Sequence, residues 1–162
     1  MGAEAGTVVV DGGSAVDARV DAAAREAPLC DEALGGHLAR VSCDRTRILL
    51  GGRLIALPKR PLPPRATRRL LDAVAQLLRA HPDLQLLRIE AYSSYDPGKE
   101  KRHVRREIEQ SQARADAVFR YLWRHGRISP ERLDPVGYGF RPAFRSAGRR
   151  WPIVLRVVQR AR

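Results

Sequence analysis

Residues that usually announce a chemistry are scarce in this chain. Aromatic residues make up 6% of its 162 positions, and only Lys59, Lys99 and Lys101 of its thirty cations are lysines. His37, His81, His103 and His125 lie far apart and the cysteines number two, so the paired spacings of a zinc site are missing. The chain has no run of eighteen apolar residues and therefore no candidate membrane-spanning helix. Met1 to Val10 has neither a basic n-region nor an apolar core, so an exported protein would have lost its signal segment already. The G-x-S-x-G elbow, the phosphate-binding loop and the G-x-G-x-x-G fingerprint are also lacking. No enzyme, cofactor or metal centre is expected.

What is present is charge, unevenly spread. The net charge is +12, yet residues 1–44 hold eight acids against Arg19, Arg25 and Arg40. An acidic leader over 1–44 therefore precedes a strongly basic domain over 45–162. Such a body attracts polyanions, whether nucleic acid, anionic lipid or the acidic groups of cell-wall polymers, and charge alone does not choose among them. Trp123 and Trp151 are the only tryptophans. Trp123 follows Leu122 on a helical stripe and reads as a core or boundary residue, so a nucleic-acid reading lacks a strand-borne stacking platform. Cys30 and Cys43 suit a disulfide near the leader's end, or are two unrelated thiols.

Hydrophobic spacing outlines the elements. Thr46, Ile48, Leu50, Leu54 and Ile55 around Gly51-Gly52 read as a strand with a bend. After the Pro58–Pro64 connector, Leu70, Leu71, Val74, Leu77 and Leu78 trace one helical face, ended by His81-Pro82. Leu84 to Tyr92 alternates as a strand and opens into Ser93-Ser94-Tyr95-Asp96-Pro97-Gly98, a turn-forming loop. A long helix follows from about Glu100 to Arg124, its core stripe read as Val104, Ile108, Ala115, Val118, Phe119 and Leu122. Strands near Leu133–Tyr138 and Ile153–Val158 complete a β-α-β-α-β-β order. The fold class is α+β, a two-layer sandwich with helices packed on one face of a mixed sheet.

The stretch "SQARADAVFRYL" followed by "GRISPERLDPVGYG" resembles the C-terminal OmpA-like domain, the family of OmpA, the Pal lipoproteins and flagellar stator proteins. Ser111, Arg114 and Ala115 match the family's Leu-Ser-x-x-Arg-Ala pattern, with Gln110 where leucine is usual, and Gly137-Tyr138-Gly139 matches its glycine-flanked turn. "LLDAVAQLLRAHPDLQLLRIEAYSS" is similar to its first helix and second strand, so the resemblance spans about Arg45 to Val158.

The resemblance implies non-covalent peptidoglycan binding in the periplasm, at the outer membrane or on the cell wall. In the family, a helix arginine and an aspartate clamp the zwitterionic end of diaminopimelate in the stem peptide. Arg114 matches the arginine, and its fork can take a carboxylate in two parallel hydrogen bonds. Read without the family, Arg114 would be a solvated helix arginine, but its i±4 neighbours Gln110 and Val118 are not acids. The family's Gly-His-Thr-Asp is replaced by Ala91-Tyr92-Ser93-Ser94, which removes the aspartate. Asp96, two positions on, or the hydroxyls of Tyr92, Ser93 and Ser94 are then the expected partners of the amine. Arg149 and Arg150 stand where the family has Asn-Arg-Arg-Val. Two alternatives stay open: a domain that has lost the site and binds envelope proteins, and a basic nucleic-acid binder.

Overall fold

A computed structural model describes residues 36–56, 59, 62–98, 100–144 and 152–160. Five strands are formed: β1 (Ala39–Val41), β2 (Arg47–Leu50), β3 (Leu84–Ser93), β4 (Leu133–Phe140) and β5 (Ile153–Arg160). The helices are α1 (Arg65–Ala80) and α2 (Lys101–Arg124). The sheet order is β1-β2-β5-β3-β4, antiparallel throughout except for the β3–β4 pair. A parallel pair needs a long crossover, and α2 supplies it. The result is the two-layer α+β architecture that the spacing predicts.

The sheet reaches further towards the N-terminus than composition suggests. Ala39 and Val41, within the stretch read as leader, are buried at 2% and 6% exposure and pair with β2. Three residues of strand are too short to stand out against the Ala-, Gly- and Asp-rich background. The β1–β2 turn is held by Asp44, whose Oδ1 accepts from the Ser42 hydroxyl at 2.5 Å and the Thr46 N–H at 3.0 Å. Cys43 in this turn is disulfide-bonded. Cys30, the residue expected to pair with it, lies outside the described residues. Beyond Leu50 the expected strand does not continue, but Leu54 and Ala56 remain buried because the Thr67 hydroxyl accepts from the Ile55 N–H at 3.0 Å.

Helix α1 buries all five of its predicted apolar residues. Two carbonyls at its C-terminal end, those of Leu78 and His81, left without helical partners by geometry, meet one guanidinium that also reaches the first residue of β3. Arg132 Nη2 donates to the carbonyls of Leu78 at 2.9 Å, His81 at 3.3 Å and Leu84 at 2.9 Å. A cation at a helix C-terminus also opposes the negative end of the helix dipole. Arg132→Ala is therefore expected to lower the unfolding free energy by about 2 to 3 kcal/mol in urea titration. A loss below about 0.5 kcal/mol would mean that water replaces these bonds.

Helix α2 departs from its predicted stripe in its first half. Its buried residues are Glu107, Ser111, Arg114, Ala115, Val118, Tyr121 and Leu122, while Val104 and Ile108 are 37% and 43% exposed. Trp123 is also on the outside, at 42%. The C-terminal half follows hydrophobicity, and the N-terminal half turns polar residues inward. Tyr121 joins the two helices, its hydroxyl donating to Asp72 Oδ1 at 2.9 Å. Burial, reinforced by that bond, pushes the Tyr121 phenol up from 10.0 to about 12. The neutral phenol is favoured in the folded state, so its stabilisation is complete below pH about 10 and is lost as pH rises towards 12. Thermal melts of Tyr121→Phe are expected to fall less steeply than the parent's across that window, from a starting point about 1 kcal/mol lower at neutral pH.

Candidate functional site

The site is built where α2 crosses β4. A Cβ placed on Gly137 would lie 2.1 Å from the backbone nitrogen of Gln112 and 2.5 Å from its Cα, so only glycine lets the helix backbone come this close. The Gly137-Tyr138-Gly139 stretch, expected as a turn, lies inside β4. There Tyr138 is the extra residue of a bulge, because Ala91 pairs with Gly137 and Tyr92 with Gly139.

β4 is an edge strand, and its outward backbone groups need partners. Gln112 accepts from the Gly137 N–H at 2.8 Å and donates to the Pro135 carbonyl at 3.1 Å, standing in for a neighbouring strand. Ser111 Oγ accepts from the Gly139 N–H at 2.9 Å and donates to the Ile108 carbonyl at 2.8 Å. Ser111, expected at the ligand, thus fastens the helix to the sheet.

That fastening fixes the face on which Arg114 points. Arg114 is 5% exposed and its Nη2 donates to the Tyr92 carbonyl at 3.4 Å, at the C-terminal end of β3. Burial lowers its pKa from the usual arginine value, and the charge of Glu107 opposes that shift. The solvated-arginine reading is therefore not the arrangement found. Glu107, two turns earlier on the same face, is 8% exposed and accepts from the Ser93 hydroxyl at 2.5 Å through Oε2. Cation and carboxylate are held by consecutive residues of β3.

Sequence reasoning missed Glu107 because the stripe was traced through apolar residues alone. Its position four before Ser111 and seven before Arg114 puts it on the same helical face, and that spacing could have identified it.

The other expected residues are dispersed. Ser93 is fully buried, between Glu107 and the Tyr95 N–H, which it accepts at 3.1 Å. Ser94, half-buried, follows it at the end of β3. The Tyr92 hydroxyl points to the opposite face of the sheet, where it donates to Glu90 Oε2 at 2.9 Å. Its ring stacks on Tyr138 there at 5.2 Å. Alternation along the strand sends odd and even residues of β3 to opposite faces, so of Tyr92 only the backbone carbonyl meets Arg114. Asp96 is exposed, and its Oδ1 accepts from the Gly98 N–H at 2.9 Å, closing its own turn. Arg149 and Arg150 lie outside the described residues. Among the described residues no helix is long and apolar enough to cross a membrane.

Fold and site together define a small two-layer module with a buried cation and carboxylate under the end of one strand. Residues 62–148, more than half of the chain, match the OmpA family, and the chain belongs to that family. Its structure is similar to the OmpA-like domain of FopA1 from Francisella tularensis subsp. tularensis SCHU S4, with a TM-score of 0.50 and 15% sequence identity, covering 72% of this chain and 73% of that one. At this identity the likeness is one of fold. No curated protein sequence gives a significant match. Domains of this family are in general envelope-associated modules that bind peptidoglycan and are typically not enzymes.

Proposed function

We propose that this domain holds peptidoglycan reversibly in the cell envelope, without catalysis, and that Arg114 receives a carboxylate of a diaminopimelate-type stem peptide. The observation that carries this reading is the burial of Arg114 on the inward face of α2, beside the end of β3. A guanidinium kept from water gains more from an arriving carboxylate than an exposed one does, because less solvent screens the pair. Its contact to the Tyr92 carbonyl, 3.4 Å long, is beyond the usual hydrogen-bond range and is readily replaced by a shorter, charge-assisted bond. The basic surface adds long-range attraction to the wall polymer.

Sedimentation with purified sacculi at stepwise increasing salt tests the reading. A short-range clamp is expected to retain binding at salt concentrations that abolish association with a nucleic acid of comparable charge, since counterion release makes the latter steeply salt-dependent. A folded protein that stays in the supernatant at low salt would leave an envelope protein as the partner. Binding that vanishes as steeply as nucleic-acid binding would remove the clamp.

A further inference from the structure

We propose that the outer face of the sheet, turned away from both helices, docks on a bilayer surface rich in anionic phospholipid. This face is separate from the Arg114 site, which lies on the inner side, and its role stands whether or not the wall is bound.

Strand register assembles the face. Arg47 of β2 pairs with Arg156 of β5, Arg156 with Arg88 of β3, and Arg88 with Asp134 of β4, so three arginines stand in one row across three neighbouring strands. Their chain neighbours Ile48, Leu155 and Ile89 are buried in the core at 4%, 1% and 0% exposure, and alternation therefore turns the arginine row outward. β1 adds Arg40, between the inward Ala39 and Val41. Arg141, just beyond β4, lies over the Tyr138 ring at 5.7 Å. Against Arg40, Arg47, Arg88, Arg141 and Arg156 the face sets only Glu90 and Asp134, five positive charges to two negative, net +3.

Like charges directly opposite each other across strands are destabilising, and the two carboxylates offset only part of that cost. They also hold two of the arginines in place. Glu90 Oε1 accepts from Arg156 Nε at 2.8 Å and Asp134 Oδ2 from Arg88 Nε at 2.7 Å. A guanidinium held through Nε keeps further donors on its Nη atoms for a phosphate. The Arg156 side chain is 47% exposed while that of Glu90 beneath it is 5% exposed.

Charge alone suits any polyanion, and the hydrocarbon beside it selects lipid. Val158 is 43% exposed on this face, where Leu49, Leu86, Val136 and Val154 are half-buried. Tyr92 and Tyr138 stand against each other at 5.2 Å and 14°. Their rings are thus engaged with one another and with Arg141, and are not an open platform for nucleobases. Arginine, tyrosine and aliphatic side chains together make up a surface suited to the headgroup level of a bilayer.

Sedimentation of the full chain with vesicles tests the proposal. The chain is expected to pellet with vesicles of phosphatidylglycerol in phosphatidylcholine and to stay in solution with phosphatidylcholine alone. Each arginine at an anionic bilayer contributes about fivefold in affinity, so Arg47→Gln/Arg141→Gln is expected to bind about twentyfold more weakly. Arg47 and Arg141 are exposed and are not the arginines that hold Glu90 and Asp134, so the change spares the fold. Arg69→Gln/Arg120→Gln removes the same charge from exposed positions of the helix layer. That variant is expected to stay within about twofold of the parent, because charges further from the bilayer than a Debye length are screened.

Equal weakening by the two double variants would assign binding to general basicity and overturn the proposal, as would equal binding to both vesicle types. Failure of the full chain to pellet at low salt overturns it too, the face then being left to another part of this chain, a second copy or a protein partner. So does a single-stranded oligonucleotide that binds the parent more tightly than the vesicles do and is lost in the Arg47→Gln/Arg141→Gln variant.

Discussion

Replacing Arg114 by lysine is expected to weaken sedimentation with purified sacculi by at least about tenfold while leaving the domain folded. Lysine keeps the positive charge beside Glu107, so the buried carboxylate retains a counter-ion and the melting temperature should move little. What lysine lacks is the rigid planar fork that meets a carboxylate with two parallel hydrogen bonds. Loss of binding without loss of stability therefore isolates the geometry of the clamp from the general basicity of the surface. Arg120→Ala, on the exposed side of the same helix, removes one positive charge and should sediment like the parent.

Arg114→Ala is the less informative change, because it strands Glu107 at 8% exposure. Removing the cation whose charge favours the buried Glu107 carboxylate is itself destabilising, so an alanine variant would confuse unfolding with loss of the site. If Arg114→Lys and Arg120→Ala sediment alike, Arg114 has no part in holding the wall.

Gly137→Ala is expected to cost this domain a large part of its stability. The new carbon would lie 2.1 Å from Gln112 N and 2.8 Å from the carbonyl carbon of Ser111, and all of these atoms are helix backbone with no rotamer to yield. To make room, α2 must move away from β4, which breaks the hydrogen bonds of Gly137 to Gln112 and of Gly139 to Ser111. Overpacking and two lost bonds together come to about 4 kcal/mol or more, a large share of the 5 to roughly 15 kcal/mol that holds a typical domain. In a thermal melt that corresponds to a fall of about 15 °C or more.

Gly98→Ala supplies the contrast. Gly98 has φ +65° but open space around its missing side chain, so the expected cost is about 1 kcal/mol of backbone strain. Equal losses at the two glycines would mean that the close approach of α2 to β4 is relaxed in solution. Because α2 also orients Arg114, any Gly137 variant that remains folded should bind sacculi more weakly as well.

Much of the fold was legible from apolar spacing. The face of α1 reads directly from Leu70, Leu71, Val74, Leu77 and Leu78, and β3 from the alternation of Leu87, Ile89 and Ala91, because both elements bury hydrocarbon and little else on the face turned to the core. Where burial is polar the spacing fails. The first half of α2 turns Glu107, Ser111 and Arg114 inward and leaves Val104 and Ile108 outside, an inversion of the usual preference that hydrophobic periodicity cannot detect. β1 was hidden for a different reason, since three residues carry too little pattern of their own and become a strand only by pairing with β2.

The sequence by itself determined the order of the main elements, the basic character of the body and the candidacy of Arg114, since these depend on local spacing and on composition. Only the tertiary structure decided which carboxylate accompanies that arginine. Asp96 is close to β3 in the chain, yet its own turn keeps it in solvent, whereas Glu107 is fourteen residues from Ser93 and bonded to it. The physical reason is that α2 is locked to β4 through two glycines with no side chain between the backbones. A contact of that kind fixes the rotation of the helix, and with it every charge on the helix's inner face.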